Sequence, residues 1–111
     1  MAVPRILPEI GTVVEVIQGR DRGLFAVVIG HSERRFVIIA DGHTRRADKP
    51  KKKNVMHVRS TSYLAHEVVE ALRADGKITN ARLRHALRLY QELRGGTSEG
   101  IEEGGVLNGE G

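Results

Sequence analysis

Gly11-Thr-Val-Val-Glu-Val-Ile-Gln-Gly-Arg-Asp-Arg-Gly23 runs directly into Leu24-Phe-Ala-Val-Val-Ile29, so two β-branched stretches flank a loop with glycine at both ends. Val and Ile fit a pleated, half-buried surface, and the stretches stand at hairpin spacing. Gly19 and Gly23 permit backbone angles that a Cβ would penalise. Arg20 and Arg22 are thereby displayed at the tip, and Asp21 is placed to hydrogen-bond the turn backbone. On its own this reads as a charged hairpin turn joining two strands.

Working outward, Arg35-Phe-Val-Ile-Ile-Ala40 is a third strand. Asp41-Gly42 then separates Ile39-Ala40 from His43-Thr-Arg-Arg46, the signature of a tight type I′ hairpin turning at Gly42. Lys49-Pro-Lys-Lys-Lys53 reads as a connection, and Val55-Met-His-Val-Arg59 as the last strand. Five strands this short cannot cover both faces of an open sheet, and they predict a small barrel filled by its own side chains.

The period changes after Ser62. Leu64, Val68, Val69 and Leu72 predict an amphipathic helix that ends near Asp75-Gly76, capped by Thr61 or Ser62 and closed by Gly76. Thr79 or Asn80 would cap a second helix, in which Leu83, Ala86, Leu87 and Tyr90 form one stripe and Gly95-Gly96 is the stop. So short a helix pair is marginal alone, and its apolar face is expected on an open edge or end of the barrel. Residues 1–8 form an extension, 9–60 the barrel, 61–94 the helical appendage and 95–111 a tail. Seven of the 13 glycines lie in those last 17 residues, mixed with Glu. Such a segment buries too little surface to offset its ordering entropy and is expected to be disordered.

Composition narrows the function classes. The chain has 111 residues and no Cys, which excludes disulfides and thiolate metal sites and suits a reducing, cytoplasmic setting. The longest apolar stretches are strand-length, and the Pro-containing start has no long apolar run of a signal peptide. Residues 1–60 hold 12 Lys/Arg against 6 Asp/Glu, residues 61–94 hold 6 against 4, and the tail holds none against 4. A body of +8 beside a tail of −4 points to a polyanionic partner, with a merely solvated surface as the plainer reading. His31, His43, His57, His66 and His85 lack metal-ligand spacing, and no phosphate-cradling glycine loop with its lysine is present. No catalytic cluster, metal, cofactor or small-molecule substrate is expected. Ser60, Ser62 and His57 lie near one another, but a cap and a strand-end histidine account for them.

The stretch from Gly11 to Val28 resembles the KOW motif of ribosomal and transcription-associated proteins. The order continues with Ile38-Ile-Ala-Asp-Gly-His-Thr-Arg-Arg46 and Lys49-Pro-Lys-Lys-Lys-Asn-Val-Met-His-Val58, similar to bacterial KOW-domain RNA-binding proteins and a group of large-subunit ribosomal proteins. In that group an Asn-x-x-His-Leu/Val segment follows, and Asn54, His57 and Val58 match it. The resemblance covers about residues 9–94. It implies a mainly β fold, a five-stranded SH3-like (KOW) barrel followed by a two-helix appendage, and an RNA-facing loop. A ribosomal or ribosome-associated role follows from it, with ribosomal RNA and ribosomal proteins as partners. A KOW module that binds a protein in transcription or translation is the alternative.

Arg20, Arg22, Arg45, Arg46, Lys51, Lys52 and Lys53 are the candidate RNA contacts, if the loops carrying them converge at one end. Lys suits point-charge contact with phosphate, whereas Arg grips it bidentately or stacks on a base. Phe25, Phe36, Tyr63 and Tyr90 are the only aromatic residues. With few aromatics to stack single-stranded bases, structured RNA read by shape and backbone is the expected ligand. Arg84 and Arg88 share a face of the second helix, most simply a solvated one, with a secondary RNA or ribosomal-protein contact as the alternative. Membrane binding is not expected, since neither helix displays large apolar groups outward.

Overall fold

In the computed structural model, which describes residues 7–98, the chain is a five-stranded antiparallel sheet with two helices packed on it. β1 (Thr12–Val16), β2 (Phe25–Ser32), β3 (Phe36–Ala40), β4 (Lys51–Asn54) and β5 (Val58–Leu64) are followed by α1 (His66–Asp75) and α2 (Asn80–Ser98). The strand order is β4-β3-β2-β1-β5, with β4 and β5 at the two edges. The sheet is therefore not closed into a barrel by pairing of its ends.

Both faces of the sheet are nonetheless buried. Val14, Val16, Ala26, Val28, Val37 and Ile39 form a core on one face with Val55 and Val58. Val13, Val27 and Ala40 point the other way, into a core completed by Val68, Leu83, Ala86, Leu87 and Tyr90. Two buried faces require continuous apolar runs rather than alternation, which is why Phe25–Ile29 and Phe36–Ala40 carry no charge. The helices thus cover a sheet face instead of docking on an edge or end. An uncovered Val13/Val27/Ala40 face would leave three fully apolar side chains in water, and covering it is worth roughly 25 cal/mol per Å².

Several segments depart from the sequence reading. His43–Arg46 is not a strand, and Asp41-Gly42 is not the turn of a two-residue hairpin. The Asp41 carboxylate accepts from the backbone N–H groups of His43 (3.1 Å) and Arg45 (2.6 Å), closing a compact loop. The lysine run supplies the strand in its place: Val37 pairs with Lys53, Ile38 with Lys52 and Ile39 with Lys51. β3 needs a second partner for its backbone groups, and Lys and Pro are the residues that edge strands tolerate. Val55–His57 is a 3₁₀ turn, because the Asn54 side chain accepts from the Met56 N–H at 2.8 Å and caps it.

β5 then continues through the segment expected to begin a helix. Thr61 Oγ1 donates to the Val13 carbonyl (2.7 Å), and Thr12 pairs with Leu64. β1 has one side free beside β2, and the Thr, Ser and Tyr of β5 fill it before helix propensity takes over. α1 starts at His66 with no side-chain cap, and Gly76 closes it at φ 73° as expected. Thr79 Oγ1 accepts from the Arg82 N–H (3.2 Å) at the start of α2. The helix runs past Gly95-Gly96 to Ser98. Glycine weakens a helix by about 1 kcal/mol but stops one only where it takes a left-handed angle, and Gly95 has no positive φ. The expectations for residues 1–6 and 99–111 lie outside the described residues.

Candidate nucleic-acid interface

The glycine-bounded loop has the expected turn. Gly19 and Gly23 sit at φ 96° and 95°, and Gly23 N–H donates to the Val16 carbonyl at 2.7 Å. Arg20 and Arg22 are exposed at its tip. Their side chains make no hydrogen bond or ion pair among the described residues. Asp21 differs from expectation, because its carboxylate does not bond the turn backbone. It turns inward and takes a two-pronged contact from Arg45, Nε to Oδ2 at 2.6 Å and Nη2 to Oδ1 at 3.1 Å. One ion pair thus ties the β1–β2 loop to the β3–β4 loop.

That hydrogen bond from Arg45 pulls the Asp21 carboxyl below its ordinary 3.8; burial opposes the shift, while the charges of Arg45, Lys53 and Lys51 add to it. The same contact raises the Arg45 guanidinium. Lys51 and Lys53 lie two residues apart on β4, so they share one face of the strand. Lys53 is only 9% exposed. Its ammonium occupies the space that Gly19 leaves open, 2.7 Å from where a Cβ at Gly19 would stand. It too makes no hydrogen bond or ion pair among the described residues.

Of the seven predicted contacts, Arg20, Arg22, Arg45, Lys51 and Lys53 come together around the glycine loop. Lys52 does not. As the odd member of a strand it points the other way, 4.6 Å from the Phe36 ring centroid and 3.4 Å from Glu33 Oε2. Arg46 stands apart as well, in an exposed pair with Asp48 at 3.6 Å, a type worth little in water.

The second loop is held from behind by α2. Gly42 sits at φ 81°, and a Cβ there would collide with the Asn80 carbonyl oxygen. Arg84 Nη1 donates to the Gly42 carbonyl (2.7 Å), and Ala47 N–H donates to Asn80 Oδ1 (2.7 Å). Arg84 is thus a fastening as well as part of the helix's exposed face. Asp41, Asn80 and Arg84 escaped the sequence reading; the Asp-Gly pair signalled a turn, but nothing local signals a partner 42 residues away.

Among the described residues no group of three His, Asp or Glu side chains could hold a metal ion, and no helix is long and apolar enough to cross a membrane. No protein-family model matches the chain, and no curated protein matches it significantly.

Proposed function

We propose that this chain is a non-catalytic RNA-binding module with an SH3-like KOW fold, acting in the cytoplasm as a ribosomal or ribosome-associated protein. The observation that carries the reading is the gathering of five cationic side chains from two loops and one strand around Gly19–Gly23, with Asp21 bonded to Arg45 among them and the buried Asp41 behind Arg45. The Asp21 carboxylate is engaged by Arg45, which leaves Arg20, Arg22, Lys51 and Lys53 for an incoming polyanion. Unpaired cations on a short rigid loop suit phosphate contact, which positions a nucleic acid without reading its bases. The KOW-like order of loop, Asp-Gly turn, lysine run and Asn-x-x-His segment favours RNA, and ribosomal RNA in particular, over DNA.

The test is a salt titration of binding to a structured RNA hairpin with the Arg20→Ala/Arg22→Ala variant beside the parent. Losing two phosphate contacts should flatten the dependence of log affinity on log salt by roughly 1.4 to 1.8. Nuclease treatment of material recovered from cells separates the protein-binding alternative. Association that survives complete RNA digestion would favour a protein partner.

A further inference from the structure

Where the glycine loop ends, an open cleft of ≈ 380 Å³ begins, between the start of β2 and the middle of α2. Leu24, Phe25 and Leu87 give it apolar surface, and Arg84, Arg88 and Gln91 line its helix side. Leu87 is buried, while Arg88 and Gln91 are exposed. Arg84 commits one N–H to the Gly42 carbonyl, and the side chains of Arg88 and Gln91 make no hydrogen bond or ion pair among the described residues. Asp41 also borders the cleft; it is buried, and its Oδ1 accepts from the N–H groups of His43 and Arg45. The cleft thus mixes apolar surface from Leu24, Phe25 and Leu87 with polar surface, is cationic on its helix side, and is continuous through Gly23 with the loop that displays Arg22.

We propose that this cleft takes one unpaired nucleotide of a structured RNA, its base against Leu24, Phe25 and Leu87 and its phosphate against Arg88. The proposal rests on the RNA-binding reading above and adds a preference to it. The volume lies at the small end of ligand pockets, which run from about 300 Å³ upward, so it suits a single nucleotide rather than a stretch of strand. A guanidinium grips a phosphate bidentately. The Gln91 amide offers a donor and an acceptor for a base edge. Bulges and loops are where structured RNA makes an unstacked base available. RNA backbone held by Arg20 and Arg22 brings the neighbouring nucleotide to the mouth of the cleft.

The experiment compares two RNA hairpins of the same stem, one fully paired and one with a single bulged fluorescent purine analogue, titrated with the full chain. The bulged hairpin should bind about tenfold tighter, within what burying part of one base's apolar surface supplies, and the analogue's fluorescence should change on binding. Arg88→Ala/Gln91→Ala, which alters two exposed side chains, should abolish that preference while the paired hairpin keeps its affinity within about threefold. Equal affinity of the parent for both hairpins would overturn the cleft and leave the RNA reading standing. So would a preference that survives the double substitution, or an equal loss on both RNAs. Failure to bind either hairpin would overturn both.

Discussion

The β1–β2 and β3–β4 connections use nearly the same residues, Gly-Arg-Asp-Arg in one and Asp-Gly-His-Thr-Arg-Arg in the other, and put them to opposite uses. In the first, the glycines are at the surface, a Cβ at Gly23 would meet nothing within 4 Å, and two arginines project without partners. In the second, Gly42 is pressed against α2, Asp41 is buried closing the loop, and Arg45 is spent on Asp21. A cationic loop is therefore no guide to a binding surface until its long-range contacts are known. What separates the two is α2, which backs one loop and leaves the tip of the other bare.

The strongest way to break this contrast is to place the same side chain at the two glycines. Gly42→Val adds a collision with Asn80 to a positive φ, and should cost about 3 kcal/mol. At ~4–8 °C per kcal/mol in a domain this size, thermal melting should show a fall of at least about 12 °C. Arg45→Ala comes next, at about 2 kcal/mol, between the values for exposed and buried pairs. Its signature is in the acid limb. Asp21 titrates below 3.8 because Arg45 bonds it, so the bridge's contribution is complete above that pH and is lost as pH falls through the lowered value. The melting-temperature gap between parent and variant should be constant from pH 7 to about 5 and narrow below 3.8; a gap that widens in acid would contradict the assignment.

Gly23→Val carries only the backbone strain, about 1 kcal/mol, and should perturb RNA affinity more than stability by re-aiming Arg22. The finest comparison lies within the lysine run. Lys53→Met should hold the melting temperature within about 3 °C, yet flatten the salt dependence of RNA binding by roughly 0.7 to 0.9 for one phosphate contact. Lys52→Ala should leave that slope alone, because its ammonium faces Phe36 and Glu33. Equal effects at the two positions would mean that the run acts as an undifferentiated charge.

The parts of the fold readable in the sequence are those fixed by local pattern. β-branched runs placed β1, β2 and β3, the Gly76 cap closed α1, and positive φ at Gly19 and Gly23 set the loop. Lys51–Asn54 was unreadable as a strand because its pairing answers the needs of β3, not any propensity of lysine. Thr61–Leu64 was misread for the same reason, its Ser and Thr suiting a helix cap until the free side of β1 is known. For the candidate site, the residue types were legible and their directions were not. Only a strand's alternation, invisible while the run passes for a loop, sends Lys51 and Lys53 to the glycine loop and Lys52 away from it.

The flanking of β1 by β2 and β5 also bears on synthesis. Val14 pairs with Ala26, 12 residues on, and with Ser60, 46 residues on. While the chain emerges, residues 12–54 can join into a four-stranded meander whose outer strand is β1, rich in valine and open along one side. Such an edge is a template for pairing with another nascent chain. Closure waits for β5, and the Val13/Val27/Ala40 face stays bare until α1 and α2 follow. Residues 58–98 thus act on the first half of the chain as its own chaperone, and chains released before about residue 64 should associate rather than fold.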